Sequence, residues 1–154
     1  CITLDVLCDD TNDYGQLMKQ ICDTLGLSKQ VVFHGKQADV RSYIAQSDLY
    51  VIPTLNQGRK EGMPMALVEA MCMGVPLLGS DITGINFVLK DFKSLLFPAE
   101  NAEVLSERIK HIKSLNTETR QQIGQNLRQY CIDHFSMHAF ISAHEDLYNK
   151  LVKS

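Results

Sequence analysis

Short apolar runs alternate with helical patterns along the first two thirds of this 154-residue chain, and that alternation restricts the fold more than any other feature. The runs at 2–8, 31–34, 48–53, 75–79 and 95–98 are bounded by turn-forming residues and have the length of buried strands. Between them, 13–25 places Leu17, Ile21 and Leu25 at i, i+4 and i+8, 39–46 repeats the pattern briefly, and 64–73 is apolar nearly all round. Parallel strands need crossover connections, which helices supply, so the expected class is α/β, a parallel sheet covered by helices on both faces. Segments 101–115, 117–134 and 136–152 read as helices only, forming a helical C-terminal tail. No repeat, low-complexity stretch or Pro/Gly/Ser linker divides the chain, and 45% hydrophobic with 21% charged residues suits one domain over 1–154.

Composition excludes several function classes. A net charge of −3 gives no basic excess for phosphate backbones, so no nucleic-acid partner is expected. The five cysteines (Cys1, Cys8, Cys22, Cys72 and Cys131) are odd in number, widely spaced and without a CxxC pair, which reads as free thiols in a reducing cytosol. No stretch stays apolar long enough to span a bilayer, and no signal segment opens the chain, so a soluble, cytoplasmic protein is expected. The chain enters a strand within two residues of Cys1, which predicts that a segment upstream is missing. The five histidines lack HExxH spacing. Asp9, Asp10 and Asp13, after a strand and before a helix, read as turn and cap residues rather than a metal site. Met63, Met65, Met71 and Met73 read as core filler.

In open parallel sheets, ligands bind beyond the carboxyl ends of the strands. The segment after the third strand, 61–76, is the one with chemistry. Pro64 suits a first helical turn, and Gly74 followed by Pro76 is a stop signal, so a helix runs from about 64 to 73. Its first turn leaves the N–H groups of Met65 and Ala66 without intrahelical acceptors at the positive end of the helix dipole, which suits a diphosphate. Gly62 lets a ligand approach the backbone. Glu69 is the sole charged side chain between Pro64 and Gly74 and needs a partner; at ~1.5 Å per residue it stands roughly 7.5 Å along the axis, within reach of a ribose on that diphosphate. Glu61, before the helix, can reach a sugar on the far phosphate. The bland alternative, an acidic residue near a helix N-terminus and a solvated carboxylate, suffices for either glutamate alone but not for both beside Gly62, Pro64 and the Gly74-x-Pro76 stop.

Glu61-Gly62-Met63-Pro64 through Glu69-Ala70, followed by Gly74-Val75-Pro76, resembles the Glu-x7-Glu motif of the large retaining glycosyltransferase family 4 (group 1), whose fold is called GT-B. Val31-Val32-Phe33-His34-Gly35, Ser47 through Thr54 and Ser80-Asp81-Ile82-Thr83-Gly84-Ile85 resemble further family segments in the same order, so the likeness covers nearly the whole chain. The resemblance implies the Rossmann-like C-terminal half of GT-B, a donor-binding domain for a nucleoside-diphosphate sugar such as a UDP-sugar. Glu61 would contact sugar hydroxyls as the candidate catalytic residue, and Glu69 would hold the ribose. The backbone around Gly62, Met63, Pro64 and Met65 would hold the phosphates, with Gly35 and Lys36 in the nucleobase loop.

The same resemblance implies no cofactor and no metal. It implies transfer to a glycan or lipid-linked acceptor in polysaccharide assembly, with retention of configuration, and a partner domain, the N-terminal Rossmann-like half, absent from this chain. The family's diphosphate-neutralising Arg and Lys would also lie upstream, so the fragment alone is expected to be inactive. Any membrane contact would fall on the absent domain. The chain departs from the family at Cys8 through Asp13, where a glycine-containing turn is usual, at Asn86-Phe87 in place of Pro-Glu, and at Ser94 in place of glycine. Arg59 and Lys60 read as an exposed basic pair in a longer loop, and Phe140, Leu147 and Leu151 as an apolar helical face. Two other readings compete: half of a GT-B sugar-nucleotide epimerase, which would place an acidic or histidine base in the missing half, and a non-enzymatic α/β interaction domain, which predicts no nucleotide affinity.

Overall fold

The computed structural model describes residues 2–56 and 62–152, which fall into two compact units, Cys1–Tyr43 and Ile44–Ser154. In the first unit, β1 (Leu4–Val6) and β2 (Val31–Phe33) pair in parallel, Leu4 opposite Val31 and Val6 opposite Phe33. The crossover is α1 (Asp13–Thr24), capped by Asn12, whose Oδ1 accepts a hydrogen bond from the Gly15 N–H at 2.9 Å. Gly15 is required there: a Cβ would lie 2.5 Å from the Asp10 Cα. The periodic residues Leu17, Ile21 and Leu25 are exposed, whereas Met18 and Cys22 are partly covered. A two-stranded ladder of three-residue strands offers too little surface to bury that stripe.

Helix α2 (Arg41–Gln46) carries the chain into the second unit. Before it, the Asp39 carboxylate accepts hydrogen bonds from the Arg41 backbone N–H and from its Nε and Nη2, and these bonds hold the Asp39 pKa down at about 2.

The second unit holds a parallel sheet in the order β3 (Tyr50–Ile52), β4 (Leu77–Ser80), β5 (Leu96–Phe97). Tyr50 faces Leu77, Ile52 faces Gly79, and Ser80 faces Phe97. As the middle strand, β4 is buried at all four residues, as strands covered on both faces are. Helix α3 (Met65–Met73) connects β3 to β4. Between β4 and β5 lies α4 (Thr83–Val88), a helix that is not among those expected from the sequence pattern, followed by a 3-10 turn at Lys93–Leu95. The tail forms α5 (Ala102–Ser114), α6 (Thr117–Phe135) and α7 (Met137–Val152), the first two capped by Asn101 and Asn116. Among the described residues the ladders are thus parallel throughout, two strands in the first unit and three in the second, as the expected α/β class requires.

The core of this unit is Leu67 and Met71 of α3, Leu77 and Leu78 of β4, Ile85 of α4, Leu89, and Leu127 of α6, all fully buried. Two glycines let α3 and α6 meet backbone to backbone. Gly74 ends α3 in the left-handed region (φ 72°), and a Cβ on Gly124 of α6 would sit 1.9 Å from the Gly74 carbonyl oxygen. Beside this contact the Arg128 Nη1 donates to the Cys72 carbonyl at 2.8 Å. Cys72 and Cys131 are joined in a disulfide with Cα atoms 5.9 Å apart, which corrects the expectation that these two are free thiols; Cys8 and Cys22 are free.

Candidate functional site at the strand carboxyl ends

Because β3, β4 and β5 run parallel, the segments that leave their carboxyl ends share one edge of the sheet, and α3 and α4 both begin there. Pro64 is the N-cap of α3 in extended conformation (φ −75°, ψ 102°), so the helix begins at Met65, one residue after the start expected from sequence, and among the described residues no side-chain cap bond is made at this end. The Pro64 carbonyl accepts from the N–H groups of Leu67 and Val68 at 3.0 and 3.3 Å. By helix geometry the N–H groups of Met65 and Ala66 lie ahead of those bonds, at the positive end of the dipole.

Pro64 is buried, while Gly62, Met63, Met65 and Ala66 are exposed, so the first turn is anchored on one side and open on the other. Glu69 shares the open face, being i+4 from Met65 and i+3 from Ala66. The side of α3 that packs inward is made of Leu67, Val68, Ala70 and Met71. Glu69 is therefore exposed to solvent on that open face. The methionines divide in the same way: Met71 is core, but Met63 and Met65 are about half exposed at 47% and 55%, against the reading of all four as filler. Glu61, Arg59 and Lys60 lie outside the described residues.

Sequence reasoning missed Ser80, whose burial is nearly complete at 1% exposure. Its Oγ donates to the Thr54 carbonyl at 2.7 Å, tying the segment that leaves β3 to the end of β4. At the same edge the Asn86 side chain donates to the Asp81 carboxylate, and the Lys93 Nζ donates to the Asn86 Oδ1 at 2.6 Å. These residues adjoin an open depression of 540 Å³ lined by Asp81, Ile82, Thr83, Asn86, Phe87 and Lys90. It lies along α4 rather than over the first turn of α3. Asn86 and Phe87, where the family pattern has Pro-Glu, thus form part of this surface.

Gly35 and Lys36 belong to the first unit, after β2. Gly35 has φ 68°, a conformation that favours glycine, and a Cβ there would meet the Asp10 Oδ1 at 3.3 Å. Asp10 is buried and paired with the Lys19 Nζ at 2.6 Å. Asp9 accepts from the Thr11 N–H and hydroxyl, and the hydroxyl bond above all lowers its pKa. His34 Nε2 lies 2.6 Å from the Asp5 Oδ1, its N–H donates to the Val6 carbonyl, and its ring packs 4.7 Å from Tyr43. Lys36 is exposed. Among the described residues no cluster of three or more His, Cys, Asp or Glu side chains could hold a metal ion, and no helix is long and apolar enough to cross a membrane.

Known proteins agree with this architecture. N-acetyl-alpha-D-glucosaminyl L-malate synthase of Bacillus anthracis is 27% identical over 136 residues, 87% of this chain and 34% of the relative. The UDP-Gal:alpha-D-GlcNAc-diphosphoundecaprenol alpha-1,3-galactosyltransferase of Escherichia coli is 25% identical over 83% of this chain and 32% of its own length. The chain thus spans about a third of these curated relatives. Among solved structures, a glycosyltransferase from Rickettsia africae superposes with a TM-score of 0.85 at 18% identity, over 100% of this chain and 41% of the other. Anabaena HepE, crystallised with UDP and glucose, superposes with a TM-score of 0.80 at 20% identity, over 99% and 41%. The model of the family described as glycosyl transferases group 1 matches residues 6–130, and with the parallel sheets and the helix-start edge this places the chain in that family.

Proposed function

We propose that this chain binds the nucleoside-diphosphate sugar of a retaining glycosyltransferase, with the first turn of α3 holding the diphosphate and Glu69 holding the ribose. The observation that carries this reading is the open first turn of α3, without a side-chain cap among the described residues, with Glu69 one turn further along the same exposed face. Family membership and the Anabaena structure that holds UDP and glucose support it. A ribose hydroxyl donates to a carboxylate, and a diphosphate accepts from first-turn N–H groups. As the glycosidic bond breaks, negative charge grows on the leaving diphosphate, and the helix dipole stabilises it without a metal. Glu61, just before Gly62 in the sequence, would contact the sugar.

The relative named for a diphosphoundecaprenol-linked sugar favours a lipid-linked or glycan acceptor, carried by an N-terminal Rossmann-like domain of the same protein. Calorimetric titration with UDP and with GDP tests the reading. Tight binding of one nucleotide, weakened about 10-fold or more by Glu69→Ala, is the expected result for loss of a hydrogen bond to a charged group. If neither nucleotide binds the protein together with its N-terminal domain, or if Glu69→Ala leaves the affinity intact, the assignment is wrong.

A further inference from the structure

The Cys72–Cys131 pair stands outside the nucleotide site and joins the two elements whose packing fixes α3. Cys131 is buried at 1% exposure among the core residues of α6, whereas Cys72 lies on the exposed face of α3, one turn beyond Glu69. The approach of the two helices does not depend on the covalent bond. Gly124 against Gly74, and the 2.8 Å bond from Arg128 to the Cys72 carbonyl, hold the same end of α3 on α6. With the bond broken, the two sulfurs remain neighbours, one reachable by solutes and the other screened. A pair so arranged exchanges with external thiols through its exposed member and closes through its buried one.

We propose that Cys72 and Cys131 are a reversible thiol–disulfide site that staples α3 to α6. In the closing direction the Cys72 thiolate attacks a low-molecular-weight disulfide such as glutathione disulfide, forming a mixed disulfide and releasing one glutathione thiolate. The Cys131 thiolate then attacks the Cys72 sulfur, forming the bridge and expelling the second glutathione. Two protein thiols are oxidised, one glutathione disulfide is reduced to two glutathiones, and the two thiol protons pass to solvent and the leaving thiolates. A small dithiol reverses both steps. The bridge closes a loop with a sequence separation of 59, so it constrains the unfolded chain strongly.

The test is to treat the native protein with glutathione disulfide, then with reduced dithiothreitol, without denaturant. Peptide mass spectrometry after alkylation follows the bridge, and thermal unfolding follows its effect. The expected result is a Cys72–Cys131 bridge that forms and opens while Cys8 and Cys22 enter no internal bridge. The oxidised protein should melt on the order of 10 °C above the reduced one. Cys72→Ser, at an exposed position, should melt with the reduced protein and lose the difference; Cys131→Ser repeats the test from the buried side. A bridge that never forms under glutathione disulfide overturns the proposal, as does one that resists dithiothreitol in the folded state or forms without moving the midpoint.

Discussion

Replacing Gly124 with alanine tests the packing that fixes α3. Its Cβ would lie 1.9 Å from the Gly74 carbonyl oxygen and 2.7 Å from the carbonyl carbon, both backbone atoms that cannot rotate away. Gly74 is committed to φ 72° by the helix stop, so α6 must retreat, by about 1.5 Å to recover an ordinary contact. Retreat opens space beside Leu67, Met71 and Leu127, all fully buried, and stretches the 2.8 Å bond from Arg128 to the Cys72 carbonyl. Overpacking costs about 1–3 kcal/mol and loss of the charged hydrogen bond about 1.5–3. Against them stands a gain of about 1 kcal/mol from exchanging glycine for alanine inside a helix. The net is a loss of roughly 2–4 kcal/mol, or a fall in melting temperature of about 5–15 °C at ~2–4 °C per kcal/mol. Circular dichroism melts under reducing conditions, which remove the Cys72–Cys131 contribution, provide the assay. Helix propensity acting alone would raise the midpoint by a few degrees, so a rise, or no change, refutes the argument.

Leu67→Ala should cost about 2–5 kcal/mol, because the side chain is fully buried in the helix that carries Glu69, and should lower the urea midpoint without changing the slope. Ser80→Ala should cost about 1–2 kcal/mol, because the Thr54 carbonyl loses its 2.7 Å partner, with a matching fall in melting temperature and weaker nucleotide binding. The Tyr130 phenol is pushed up to about 12, first by burial and then by its hydrogen bond to Asp91. Its folded pKa lies above the unfolded value of about 10, so the stabilisation is fully present below pH ~10 and is lost as pH rises through about 12. Phenolate absorbance should therefore show one late-titrating tyrosine. Tyr130→Phe should lose that component together with about 1–2 kcal/mol of pH-dependent stability, and an unchanged high-pH titration in the variant would refute the assignment.

Much of the fold is legible in the sequence because its elements are marked locally. Each of the five apolar runs overlaps one strand of the described residues, and Gly74 with Pro76 marks the end of α3 where the structure ends it. Helix α4 escaped this reading. At six residues, with Gly84 in its second position, it has neither propensity nor a full period of pattern. Burial of Ile85 and Val88, with Leu89 just beyond, holds it instead, and that is a tertiary cause. The Cys72–Cys131 bridge was hidden for a related reason: the contact between α3 and α6 depends on Gly74 and Gly124 meeting, and no local pattern announces that pairing.

The candidate site divides along the same line between local and long-range causes. The α3 start, with Pro64 and Gly62, is a local chain feature and was readable, whereas the face that Glu69 would occupy was not. A helix apolar on nearly every side gives no sequence cue to which side is outward. The outward side is set by what the inward side meets. Leu67, Val68, Ala70 and Met71 turn toward the core, and Gly124 lets the α6 backbone close on the end of this helix. Met65, Ala66, Glu69 and Cys72 are left on the open side. The same packing therefore exposes a carboxylate above the helix start and a cysteine one turn beyond it. A substitution at the α3–α6 contact should accordingly change nucleotide affinity and thiol reactivity together, although it touches neither Glu69 nor the sulfurs.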